Sequence, residues 1–178
     1  MLRASLPTKC RFWLEHAFAV LSGTPAWGLF VVSNALRAKA FWHSICITDV
    51  SGEADLERFT ATVIDALELA RKCDARRFAR IEEHIRFIIR MRKPFAARYF
   101  RVGRACLVND KRYPEAAGPA LVMRLACTLV HESTHAYIPQ RRIPLSGCRH
   151  RHERTCVKEV QRFLERVKAH QGCDPTSP

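Results

Sequence analysis

Residues 118–137 read GPALVMRLACTLVHESTHAY and predict a long, largely buried helix. Gly118-Pro119 is typical of a helix start, because proline is tolerated in the first turn, where its missing N–H would have no partner. From residue 128 to residue 137, every residue outside a central His-Glu-x-x-His motif is uncharged. Charged neighbours would stay solvated, so this composition favours a helix packed against the rest of the fold.

The motif consists of His131, Glu132 and His135. Two histidines four residues apart leave the same face of a helix one turn apart, so both imidazoles can reach one Zn²⁺. Glu132 is rotated about 100° from His131, so it can flank a metal without ligating it. There it can take a proton from a zinc-bound water. The spacing therefore predicts zinc held by His131 and His135, with Glu132 as the general base.

A catalytic zinc site needs a third protein ligand and an open position for water. Arg141 excludes the related motif that has a third histidine six residues after the second. A helix is predicted over about residues 149–168, with a buried face centred on Val160. That face also contains Cys156, Val157, Phe163, Leu164 and Val167.

Glu153 lies about 20° from the centre of that face, Glu159 about 100° and Glu165 about 140°. Glu153 is thus expected to be the only carboxylate of this helix that points into the core. A lone buried carboxylate is costly unless it is paired or bound to metal. Glu153 is therefore the expected third ligand, and pairing with an arginine is the alternative.

His131-Glu132-Ser133-Thr134-His135 followed by Glu153 resembles the gluzincins, zinc metallopeptidases with two histidines on one helix and a glutamate on the next. The chain is also similar to small bacterial proteins with a Val-His-Glu-x-Thr-His segment and a later Glu-Arg-x-Cys-Val segment. The resemblance covers residues 54–168. It implies a zincin-like fold with His131, His135 and Glu153 as ligands, Glu132 as base, and peptide-bond hydrolysis as the activity. It also implies an edge strand, supplied by residues 97–108, that holds an extended peptide.

The sequence departs from that family at supporting positions. Thermolysin-like members have an Asp four residues after the ligating Glu, where this chain has Val157. Asp110, Glu159 or a backbone carbonyl remain candidates for the hydrogen-bond acceptor that metal-bound histidines need. For stabilising an oxyanion, the candidates are Tyr137, His150 and His152.

The expected fold class is α+β and mostly helical, with a short β element before the active-site helix. One helix is predicted to start at Ser51-Gly52, and a second, capped by Asp74, to run through Ile85 and Ile88 or Ile89 and end before Pro94. Residues 97–108 predict one bent strand or two short ones around Gly103. The predicted division is an N-terminal segment, 1–50, and a zincin-like domain, 51–178.

The N-terminal segment contains an uncharged run, residues 17–36, long enough to cross a bilayer. Residues 22–25, Ser-Gly-Thr-Pro, interrupt the run, and positive residues flank both ends, so no orientation follows. Association with a membrane and a pair of short buried helices both stay open. The corresponding locations are a membrane surface and the cytoplasm.

Charge and cysteine content set the alternatives. The 178 residues hold 30 Lys and Arg against 17 Asp and Glu, a net charge of +13, which permits an anionic partner. Nucleic-acid binding would rest on that charge, with Tyr99 and Phe100 as stacking residues. The eight cysteines form no Cys-x-x-Cys pair and are expected to be mostly reduced core thiols, although a structural zinc knot over Cys148–Cys156 is a rival. A catalytically inactive zinc-binding protein is the remaining alternative.

Overall fold

The computed structural model describes residues 40–52, 55–113, 117–140 and 149–172. Five strands and four helices lie in these ranges. The strands are β1 (Ala40–Trp42), β2 (Ile45–Asp49), β3 (Phe87–Arg90), β4 (Ala97–Phe100) and β5 (Ala105–Val108). The helices are α1 (Leu56–Cys73), α2 (Ala75–His84), α3 (Pro119–Gln140) and α4 (Arg149–Gly172). The expectation of a mixed, helix-rich α and β chain is confirmed, with a larger β component than the short element predicted.

The strands form one mixed sheet in the order β1-β2-β3-β5-β4. β2, β3 and β5 run parallel, and β1 and β4 join the two edges antiparallel. Every residue of β3 and β5 is buried. One face of the sheet carries a core cluster, with Cys46, Phe87, Ile89, Met91, Ala105 and Leu107 as its buried members. Strands buried on both faces are typical of parallel sheets.

The prediction that the second helix continues to the residues before Pro94 is wrong. Helix α2 ends at His84, and Phe87–Arg90 form β3. The backbone N–H of Arg86 donates to the Arg104 carbonyl at 2.8 Å, so the chain is already paired with the sheet two residues after the helix. An apolar run buried on both faces has no alternation, and its periodicity fits a helix as well as a strand.

Other local predictions are confirmed. Residues 97–108 form two short antiparallel strands, and Gly103 between them has φ +80°, a conformation that favours glycine. Asp74 caps α2, since its Oδ1 accepts a hydrogen bond from the N–H of Arg77 at 3.1 Å. Gly118 has φ +54° immediately before α3. The predicted start of the first helix at Ser51-Gly52 is wrong by four residues, since α1 starts at Leu56, although Glu57 lies in its first turn as expected.

The chain divides into two compact units. Among the described residues, the sheet unit comprises those within 40–61 and 85–113, and the helical unit comprises those within 62–84, 117–140 and 149–172. In the helical unit, α3 packs against both α2 and α4. β1 and β2 precede residue 50 and belong to the sheet. The run at 17–36 lies outside the described residues, and no helix within them is long and apolar enough to cross a membrane.

Candidate metal centre

The two histidines of the motif face each other on α3. Their Nε2 atoms are 3.1 Å apart, and the rings meet edge to face with centroids 4.8 Å apart. Both side chains are about three-quarters buried, with 26% of His131 and 25% of His135 exposed. Burial, reinforced by the neighbouring His135, lowers the pKa of His131, against the opposing effect of Glu153. His131 is therefore neutral at pH 7, the state in which imidazole binds a metal.

Glu153 on α4 reaches both imidazoles. Its Oε2 is 3.4 Å from His131 Nε2, and its Oε1 is 3.4 Å from His135 Nε2. Ligands placed tetrahedrally around zinc at 2.0–2.1 Å lie about 3.3–3.4 Å from one another. Each nitrogen lies at about that distance from the other nitrogen and from one carboxylate oxygen, a different oxygen for each histidine, so the carboxylate lies where a third ligand would bind.

The expected burial of Glu153 is wrong, although the carboxylate lies beside the histidines. Its side chain is 44% exposed, whereas that of Glu159 is only 13% exposed. Val157, assigned to the buried face, is 48% exposed. The buried stripe of α4 is centred nearer Cys156, Phe163 and Val167, which leaves Glu153 at its edge, in the second turn of the helix.

The side chain of Glu159 is largely shielded from solvent, where arginines of α2 neutralise its charge. Its Oε2 lies 3.2 Å from both Arg77 and Arg80, and Arg162 donates to its Oε1 at 2.7 Å. Burial would raise the pKa of Glu159, but Arg77, Arg162 and Arg80 hold it below its ordinary value. Glu159 and Asp110 were considered as acceptors for the N–H groups of the histidines. Both carboxylates already pair with arginines, Glu159 with Arg77 and Arg80 and Asp110 with Arg90.

Arg80 ties three helices together next to the motif. From α2, its Nη1 donates to Thr134 Oγ1 on α3 at 3.1 Å and to Glu159 on α4 at 3.2 Å. Its guanidinium also lies 4.4 Å from the centre of the Tyr137 ring. Thr134 and Tyr137 flank His135 in the chain, so Arg80 positions the helical turn that carries the second histidine. Three residues were considered for stabilising an oxyanion. Tyr137 packs on Arg80, His152 is half-buried and His150 is exposed.

Cys156 was expected on the buried face of the helix, or as a ligand of a separate zinc knot, and the structure places it beside the two histidines instead. Its Sγ and the two histidine nitrogens form a group whose atoms all lie within 4.8 Å of one another. Burial, followed by Glu153 and Glu132, raises the pKa of Cys156 to about 12. Glu132, the expected general base, directly follows His131 on α3 and is only 8% exposed. The signal available in the sequence is the spacing of Cys156, three residues after Glu153 on one helix face.

The five cysteines in the described ranges, Cys46, Cys73, Cys106, Cys127 and Cys156, are free thiols. Cys46, Cys106 and Cys156 are buried, as expected of core thiols. Of the two cysteines of the rival zinc knot, Cys148 lies outside the described residues, and Cys156 lies with His131 and His135.

A separate groove of 610 Å³ lies elsewhere in the helical unit, between the start of α2 and α4. Arg76, Arg77, Arg162 and Arg166 contribute positive charge to its lining.

The stacking residues of a nucleic-acid surface are also placed. Tyr99 and Phe100 lie on β4, an edge of the sheet. Phe100 packs against the core cluster, and Tyr99 is half-buried, with its pKa raised by burial. Neither ring is fully exposed for stacking on a base.

No protein-family model matches the sequence, and neither a curated protein nor a solved structure is significantly similar to it.

Proposed function

We propose that the protein is a zinc-dependent metallopeptidase of the gluzincin type, with a zincin-like helical unit. His131, His135 and Glu153 hold the metal in this proposal, and water takes the fourth position. The observation that carries it is the spacing of 3.1 and 3.4 Å among two imidazole nitrogens and a carboxylate on two packed helices. The partial exposure of all three side chains supports access by a substrate.

Zinc, when bound, supplies a Lewis acid that makes water more acidic and polarises a carbonyl. Glu132 accepts a proton from the attacking water as the new C–O bond forms. It then returns the proton to the nitrogen of the leaving amine as the C–N bond breaks. Burial of Glu132 keeps bulk water from competing for that proton. An extended peptide or protein segment is the proposed substrate.

The first test is the zinc content of purified protein. We expect one zinc per chain in the wild type and much less in His135→Ala and Glu153→Ala. His170→Ala and Glu165→Ala are matched controls, because these exposed residues lie on α4 in its C-terminal half, away from Glu153. Circular dichroism verifies that each variant is folded. Full zinc in both centre variants would place the metal elsewhere and overturn the proposed ligand set.

The second test is hydrolysis of a quenched-fluorescent peptide library and of unfolded casein. We expect Glu132→Gln to keep its zinc but to lose activity by about 10²-fold or more, because a positioned base contributes that much. Addition and removal of a chelator should switch the wild-type activity off and on. Equal hydrolysis by wild type and Glu132→Gln would overturn the role of Glu132.

A zinc-binding protein without hydrolytic activity is the second candidate. Cys156 favours it, because structural zinc sites fill all four positions with protein ligands. This candidate predicts full zinc content with no hydrolysis, and no effect of Glu132→Gln on any measured property except local stability.

A further inference from the structure

Two packed helices each present a pair of potential ligands to one point. On α3, the pair is His131 and His135, four residues apart, with Nε2 atoms 3.1 Å from each other. On α4, the pair is Glu153 and Cys156, three residues apart and therefore on one helix face. Glu153 contacts both imidazoles, and Cys156 Sγ forms a group with the same two imidazole nitrogens.

Only a small shift is needed to bring the sulfur of Cys156 within bonding distance of a metal held by the two histidines. Around zinc, with bonds of 2.0–2.1 Å to nitrogen and 2.3 Å to sulfur, tetrahedral N and S ligands lie about 3.5 Å apart. All ligand atoms of the group lie within 4.8 Å of one another, so a shift of roughly 1 Å brings Sγ to bonding distance. Cys156 is fully buried, whereas the side chain of Glu153 is 44% exposed. A metal at this point would thus face the core on the side of the sulfur and solvent on the side of the carboxylate.

We propose that Cys156 is a fourth protein ligand of this metal, completing a set of two histidines, one glutamate and one cysteine. As the S–metal bond forms, the S–H bond breaks and its proton passes to solvent. The proposal rests on the proposed function in that His131, His135 and Glu153 hold the same metal. Its consequence is that Cys156 and water compete for the fourth position, so the resting centre is closed. A thiolate ligand also favours zinc and cobalt over magnesium and manganese.

The test is a titration of the reduced, metal-free full chain with Co²⁺. A cobalt–thiolate bond produces an intense charge-transfer band in the near ultraviolet, which nitrogen and oxygen ligands do not. We expect the band in the wild type, its loss in Cys156→Ser, and a fall in cobalt affinity of more than about tenfold in that variant. Cys127→Ser is the matched control, because Cys127 lies on α3 one turn before His131. It should keep the band and the affinity.

X-ray absorption of the zinc-loaded wild type gives the same answer without a variant, which matters if Cys156→Ser does not fold. One sulfur at about 2.3 Å supports the proposal, and none overturns it. Cobalt bound without the charge-transfer band overturns the role of Cys156 and leaves the three-ligand site intact. A band that survives Cys156→Ser, or that disappears in Cys127→Ser, overturns it by assigning the thiolate to another cysteine. No cobalt binding overturns both proposals.

Discussion

Replacement of Arg90 by methionine should be among the most damaging single changes in the sheet unit. Arg90 ends β3 with a side chain that is only 1% exposed. It donates to both oxygens of Asp110, at 3.0 and 2.6 Å, to Asp55 at 2.6 Å and to Asp49 at 3.3 Å. Asp110 follows β5, Asp55 precedes α1 and Asp49 ends β2. The guanidinium of Arg90 therefore joins three parts of the sheet unit.

The expected loss follows from the charges left behind. Methionine fills a similar volume and can keep the contact with Phe59, whose ring centre lies 5.1 Å from the guanidinium carbon. It leaves Asp49 and Asp110, 5% and 14% exposed, without their cation. Removal of one partner of a buried ion pair costs about 3–5 kcal/mol. For a chain of this size, that loss lowers the melting temperature by about 6–20 °C.

Chemical unfolding followed by circular dichroism measures this loss. Arg98→Met, an exposed arginine on β4, is the control and should change stability by less than about 0.5 kcal/mol. The difference in the free energy of unfolding between wild type and Arg90→Met should become smaller in acid. A buried carboxylate without its cation has a folded pKa above the unfolded value, so its protonation stabilises the variant. The double variant Arg90→Met/Asp110→Asn should recover part of the loss. A loss below about 1 kcal/mol, or a difference that grows in acid, would refute this account of Arg90.

Other predictions concern the helical unit. Arg80→Met should lower stability by about 3 kcal/mol and weaken zinc binding, because the turn carrying Thr134 and His135 loses its link to α4; unchanged zinc affinity in calorimetry would contradict this positioning role. In urea unfolding, Asp74→Ala should cost about 3 kcal/mol, because it removes both the α2 cap and the buried ion pair with Arg77, and Asp74→Asn, which can still cap but carries no charge, should cost about 1 kcal/mol less. Because the folded pKa of Glu159 is lowered, its contribution is complete above its unfolded value of 4.5 and is lost as the pH falls through the folded pKa. Glu159→Gln should flatten that acid loss in unfolding measured between about pH 3 and 6, and an unchanged acid slope would argue against it. Chelation of zinc should lower stability by about 2.7 kcal/mol relative to protein at free zinc a hundred times the Kd, and no change would argue against binding to the folded state.

Local features of the helices could be predicted from the sequence. The Asp74 cap and the start of α3 at Pro119 depend on backbone groups within a few residues. The histidine pair also follows from helix geometry alone, since residues four apart share a face. The approach of Glu153 to that pair agrees with its helical phase, although its burial does not.

Packing decided the remaining features. β3 was not distinguishable from a helix, because burial on both faces removes the alternation that marks a strand. Glu153 was expected to be the shielded carboxylate of α4, but Glu159 is the more shielded of the two. The reason is its pairing with Arg77 and Arg80, which lie about 80 residues earlier than Glu159 in the chain. Cys156 meets the histidines only because α3 and α4 pack together. The sequence by itself determined which residues share one helix face, since that depends on rotation per residue. Only the tertiary structure decided which faces meet and which charges are neutralised, because the energies of burial and ion pairing depend on neighbours that are distant in the chain.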